Sequence, residues 1–143
     1  AQAQQALAAG ARFIVSPGFS PSVVDWCLAQ GVPVLPGTVT PTEIMAALDR
    51  GIKAVKFFPA EAYGGVATLK ALSAPFADVR FMPTGGITAA NLATYLALPA
   101  VLAVGGSWMV EGKLLADGRY DEVLRLAAEA VAIVRRVRVG SPA

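Results

Sequence analysis

The sequence predicts an α/β fold of the (β/α)8 barrel type, with about five of the eight βα units carried by its 143 residues. Three observations point there. A helical pattern repeatedly ends at a glycine and runs straight into a short apolar strand, as in "AAGARFIVSPG", "AQGVPVLPGT" and "DRGIKAVKFFPAE". Short apolar strands alternating with helices indicate a parallel sheet. Each strand then ends on Pro, Gly, Ser or Thr ("SPG", "PGT", "FFPAE", "PTGG", "GGS"), and α/β folds place ligands at the carboxyl ends of their strands. No GxGxxG follows any strand, which leaves a doubly wound dinucleotide fold unsupported.

Taken in order, "AQAQQALAAG" opens inside a helical pattern without Met or a basic start, as expected of a chain that begins part-way through a fold. Gly10, Gly31 and Gly51, about twenty residues apart, end successive helices, since glycine takes positive φ without penalty. Ser20 is the expected N-cap of the second helix, with Pro21 at its first position. Thr40 and Pro41 repeat the device, and Glu43 completes a capping box. The "AVKFF" strand follows, then strands over 79–83 and 101–104. Thr88 caps "AANLATYLAL" between those two. A last helix from 120 to about 137 carries Val123, Leu124, Ala127, Ala130, Val131 and Val134 at helical spacing, the expected buried face. The expected organisation is a single partial barrel domain over residues 1–143, five strands where a closed barrel has eight.

Composition narrows the function. The chain is 55% hydrophobic and 15% charged, enough for a core, with net charge +2. Arg135, Arg136 and Arg138 form the one basic run, better read as the solvated face of a helix than as a nucleic-acid surface. Nucleic acid and membrane are not expected partners, since no apolar run reaches spanning length. With one cysteine, Cys27, and no histidine, an internal disulfide and a Cys/His zinc site are excluded, and a reducing cytoplasmic setting is expected. Trp26 and Cys27 read as core or interface. Trp108 reads as packing beneath the last helix.

Lys56 is the residue with chemical potential. Alternation along a strand puts Ala54, Lys56 and Phe58 on one face and Val55 and Phe57 on the other. Pointing into a confined barrel interior, the amine would lose charge to desolvation, and a neutral amine attacks carbonyls to form a Schiff base. The pattern alone leans to the plainer reading, a strand-end lysine reaching to water. Lys53 sits at the wrong end of the strand, and Lys70 and Lys113 fall on a helix and in a turn. The paired glycines Gly85–Gly86 and Gly105–Gly106 follow consecutive strands, and Thr88 opens a helix beside the first pair. Together they fit a phosphate site, to which Ser107 could donate its hydroxyl. Thr84 could bond a carboxylate or cap its own turn. Glu61 reads as solvated or structural and not as a general base.

"VKFFPAE", "RFMPTGGI" and "VGGSW", in this order and spacing, resemble the 2-keto-3-deoxy-6-phosphogluconate aldolase family, which includes the bifunctional 4-hydroxy-2-oxoglutarate aldolases. "SPG" and "LPGT" fit the fourth and fifth strands of its TIM barrel, so the resemblance covers strands four to eight. It implies a metal-independent class I aldolase, usually a homotrimer, that needs no cofactor beyond a covalent intermediate on lysine. The substrate implied is a phosphorylated keto acid, cleaved to pyruvate and glyceraldehyde 3-phosphate. By the same resemblance Lys56 is the Schiff-base lysine, Thr84 lies near the pyruvyl carboxylate and Phe58 lines the substrate cavity. Gly85, Gly86, Gly105, Gly106 and Ser107 form the phosphate pocket. Members of the family carry three further strands ahead of this segment, bearing the proton-shuttling glutamate and an arginine and a threonine for the carboxylate. This chain has no matching positions, so impaired activity is expected of it alone. Rival readings are a 2-keto-3-deoxy-6-phosphogalactonate aldolase, a non-catalytic phosphosugar-binding half barrel, and a thiamine-phosphate-synthase-like or isomerase-like phosphate binder.

Overall fold

The structure, a computed structural model, describes residues 2–139. Helices and strands alternate: α1 (Gln2–Ala8), β1 (Ile14–Val15), α2 (Pro21–Ala29), β2 (Val34–Leu35), β3 (Gly37–Thr38), α3 (Pro41–Leu48), β4 (Ala54–Phe57), α4 (Gly65–Ser73), β5 (Arg80–Pro83), α5 (Ala89–Leu96), α6 (Gly112–Ala116) and α7 (Tyr120–Val139). Single 3-10 turns lie at Glu61–Tyr63 and Trp108–Val110. All strand pairs are parallel, β1 with β2 and β3 with β4 with β5. Within each sheet the spatial order follows chain order with no reversal, as in the winding of a barrel.

Two expected strands take a different form. "VPVLPGT" divides at Pro36 into β2 and β3. Proline has no N–H to give a ladder, so the segment changes partner there, but the Pro36 carbonyl still accepts from Lys56 N–H at 2.9 Å and the array stays continuous. The strand expected over 101–104 is reduced to two isolated bridges, Phe81 to Val101 and Thr84 to Gly105. The step from 101 to 105 is one residue longer than the step from 81 to 84. That extra residue is a bulge, which interrupts the ladder while keeping both ends aligned with β5.

The alternation expected of β4 is present. Val55 and Phe57 are fully buried, while Ala54, Lys56 and Phe58 are partly exposed on the opposite face. The buried face joins Phe81 and Val79 from the next strand region, Ile44 and Ala47 of α3, Leu69 of α4 and Tyr95 of α5 in one core. Each large side chain so buried contributes roughly 1.5–3 kcal/mol relative to exposure. Cys27 belongs to this core, where burial pushes its thiol pKa up and keeps it unreactive.

The helix starts are unequal. Thr40 and Glu43 form a complete capping box, with Glu43 Oε2 accepting from Val39 N–H at 2.8 Å, Thr40 N–H at 2.9 Å and the Thr40 hydroxyl at 2.8 Å. Ser20 occupies the N-cap position without capping; its hydroxyl lies 3.3 Å from that of Ser22. At α5, Thr88 N–H donates to Asn91 Oδ1 at 2.8 Å.

The buried face of α7 departs from expectation. Val123, Ala127 and Ala130 turn inward, but Leu124 is 70% exposed and Val131 and Val134 also face outward. Leu126, Ile133 and Val137 take their place, because α7 packs on α5 and the Trp108–Val110 turn along that side. Lys113, expected in a turn, lies on α6.

Candidate active site

The carboxyl ends of β4 and β5 and the 105–107 loop enclose a cleft of roughly 440 Å³. It is lined by Lys56, Phe58, Thr84, Gly85, Gly86, Gly105, Gly106 and Ser107, so every site residue read from the sequence falls on one surface. Val15, Met82 and Ile87 complete the lining and were not singled out. Met82 was accessible to the same alternation argument, since it pairs in register with Lys56 and shares the inward face of β5. Val15 carries no such signal. A larger groove of about 760 Å³ lies along β1 and α2, lined by residues such as Ala3, Phe13, Val23 and Trp26. It has no titratable side chain, so it offers no comparable chemistry.

Lys56 is the one titratable residue lining the cleft among the described residues. Its Nζ stands 4.2 Å from the centroid of the Phe58 ring and has no ion pair among them. A cation over a ring gains only about 0.5–1 kcal/mol at an exposed site. Desolvation is the stronger influence here, and burial pulls the Lys56 pKa below the ordinary lysine value. Lys53, at the other end of the strand, is exposed and 3.7 Å from Asp78.

The opposite wall is backbone. The N–H groups of Gly85, Gly86, Gly106 and Ser107 donate no hydrogen bond among the described residues. Their neighbouring carbonyls are occupied, with Gly85 O accepting from Glu61 N–H at 3.1 Å and Gly86 O from Asn91 Nδ2 at 3.1 Å. Glycine is required twice. A Cβ on Gly86, at φ +78°, would lie 2.6 Å from Glu61 Cβ and Cγ, and one on Gly106 would lie 1.9 Å from Trp108 Cζ3. Trp108 thus packs beneath the second glycine pair and against the core, in keeping with its expected packing role. The Thr84 hydroxyl reaches only Met82 O, at 3.5 Å, and stays available.

The family model described as KDPG and KHG aldolase matches residues 1–126. The chain belongs to the KDPG and KHG aldolase family. It is 56% identical over 133 residues to the 2-dehydro-3-deoxy-phosphogluconate aldolase of Treponema pallidum, a match covering 93% of this chain and 63% of that protein. It is 49% identical over 123 residues to the KHG/KDPG aldolase of Escherichia coli K12, covering 86% of this chain and 58% of that one. The crystal structure of the Legionella pneumophila KDPG aldolase, with pyruvate captured as a covalent carbinolamine intermediate, superposes with a TM-score of 0.86 at 39% identity, over 92% of this chain and 63% of that one. The chain therefore spans about three-fifths of the length of these KDPG aldolases. Among its described residues no three His, Cys, Asp or Glu side chains gather to hold a metal ion, and no helix is long and apolar enough to cross a membrane.

Proposed function

We propose that this chain carries the Schiff-base centre and phosphate pocket of a class I aldolase. The substrate is 2-keto-3-deoxy-6-phosphogluconate, cleaved to pyruvate and glyceraldehyde 3-phosphate, with 4-hydroxy-2-oxoglutarate as a second substrate giving pyruvate and glyoxylate. One observation carries the reading: a desolvated amine on Lys56 faces a cleft whose far wall holds the unbonded N–H groups of Gly85, Gly86, Gly106 and Ser107. Amine and anion cradle share one cleft, as a keto acid with a terminal phosphate requires.

Neutral Lys56 attacks the substrate ketone, the carbinolamine loses water, and an iminium forms. The C3–C4 bond then breaks as the C4 hydroxyl gives up its proton. The electron pair of the bond moves into the iminium, leaving an enamine and freeing the aldehyde. Protonation at C3 and hydrolysis release pyruvate and restore the amine. The iminium is itself the electron sink, so the reaction needs no cofactor. Thr84 donates to the pyruvyl carboxylate, Phe58 packs on the substrate chain, and Gly85, Gly86, Gly105, Gly106 and Ser107 hold the phosphate beside the N-terminus of α5. Metal has no part in this scheme. The general base comes from outside the cleft's described lining. A positioned base contributes typically ~10²–10⁴-fold, so the 143 residues alone turn over slowly.

In this reading residues 1–143 are one partial TIM-barrel domain supplying strands four to eight, completed by three further βα units. The gluconate substrate is preferred to the galactonate epimer because the relatives at 56% and 49% identity carry the gluconate name. The whole protein is a cytoplasmic homotrimer, supported by the family membership and by outward apolar residues such as Leu124 on α7; sedimentation velocity tests the assembly. The chemistry is tested by borohydride reduction in the presence of pyruvate, followed by peptide mass analysis. Modification at Lys56 is expected, and its absence in a complete, folded protein would remove the mechanism.

A further inference from the structure

We infer that Tyr95 is a positioning residue for the anion-binding loop and acts through Glu61, whose side chain it pins beneath Gly86. This rests on reading residues 85–86 as a phosphate loop. Tyr95 projects from α5 and is fully buried, and its hydroxyl donates to Glu61 Oε1. Glu61 opens the 3-10 turn after β4 and touches the loop in two ways. Its N–H donates to Gly85 O at 3.1 Å, and its aliphatic stem fills the space where a Gly86 Cβ would sit, 2.6 Å from Cβ and Cγ. Gly65, the first residue of α4, closes the pair from the other side; a Cβ there would lie 2.9 Å from Tyr95 Oη and 3.0 Å from Glu61 Oε1.

The Glu61 side chain is thus a wedge with one end in the loop and the other held by a hydroxyl with nowhere else to go. It cannot swing out without stranding a buried donor. The loop carbonyls stay tied to Glu61 N–H and Asn91 Nδ2, and the Gly85 and Gly86 N–H groups remain free for an anion. Burial, and then the hydrogen bond and charge of Glu61, push the Tyr95 pKa far up, so the phenol remains a donor throughout the working pH range. Tyr95 does not itself line the cleft and reaches it through Glu61, which touches Gly85 and Gly86, so its effect belongs to the anion end.

The test uses the complete protein and two readouts: inorganic phosphate titrated against the Gly85 and Gly86 amide NMR signals, and the rate at which pyruvate and borohydride label Lys56. Tyr95→Phe keeps the ring in the core and is expected to weaken phosphate about five-fold, the loss of one hydrogen bond, with the loss falling on phosphate affinity and not on labelling. Glu61→Ala should lose as much, Glu61→Gln should keep more because it retains an acceptor, and the Tyr95→Phe/Glu61→Ala pair should be no worse than either alone. If Tyr95→Phe binds phosphate as the unsubstituted protein does, or loses labelling in the same proportion, the positioning role is wrong. If phosphate fails to move the two glycine signals in the unsubstituted protein, the phosphate-loop reading falls first and takes the inference with it.

Discussion

At the residue scale, two residues sit where their surroundings decide their behaviour. Lys56 is drawn two ways: the Phe58 ring at 4.2 Å favours the ammonium, and burial disfavours it. Because burial wins, the folded-state pKa is depressed, and the neutral amine gains population as pH rises through a value below 10.5. An NMR titration of the Lys56 amine should show that inflection below 10.5, whereas an inflection at the ordinary value would mean an amine in bulk water. Lys56→Met removes a partly buried amine that has no ion pair, so it should abolish pyruvate labelling without lowering the melting temperature. Gly106 is constrained by shape. Its missing Cβ would sit 1.9 Å from Trp108 Cζ3, and a rigid ring packed against the core on its other side must shift to admit it. Gly106→Ala is therefore expected to cost about 1–3 kcal/mol in denaturant unfolding, the usual range for overpacking, and to weaken phosphate as well.

At the element scale, α2 and α3 offer a controlled pair. Both begin with a hydroxyl residue followed by proline, and the sequence reads them alike. Only Thr40 caps; Ser20 turns its hydroxyl toward Ser22. Thr40→Ala should destabilise by about 1 kcal/mol and Ser20→Ala by less than about 0.5 kcal/mol in the same assay. Burial of the Glu43 carboxyl would raise its pKa, but the hydrogen bonds from Val39 N–H and from the Thr40 hydroxyl and N–H outweigh it and leave it lowered. The box therefore contributes above the ordinary carboxylate range and loses its contribution as pH falls through the folded-state value of Glu43. The gap between Thr40→Ala and the unsubstituted chain should narrow in acid. Helix starts and strand faces were legible because they depend on neighbours two to four residues away. The partner change at Pro36, the bulge opposite β5 and the inward face of α7 depend on register between distant segments, and no local pattern encodes that. The same limit hid the Tyr95–Glu61 pair, whose members are 34 residues apart.

At the scale of the whole molecule, the cleft residues were legible together because a parallel array wound in one direction brings every strand end to one rim. What the sequence could not show is how unequally the array is finished at its two sides. β4 has partners on both sides. β1 bonds β2 through Ile14 and Ser16, so alternation turns the Val15 N–H and carbonyl away from the sheet, beside an exposed Phe13. At the other side the Val101 backbone groups also turn away from the sheet, but the N–H donates to Leu98 O and the carbonyl accepts from the Arg138 guanidinium. Charged side chains over an edge are a common way to block stray strand pairing. Arg138 does so for one edge, and nothing comparable covers Val15 among the described residues. Hydrogen exchange should rank the array accordingly: slowest amides in β4, faster at Leu102, fastest at Val15. Arg138→Ala removes the outward bond that steadies Val101 and should speed exchange at Leu102 several-fold while leaving β4 unchanged. Uniform exchange across the strands, or a β4 response to Arg138→Ala, would show that the array opens as one unit and that its edges have no separate stability. In the complete protein, a strand pairing with β1 should appear as new protection at Val15, with β4 again unchanged.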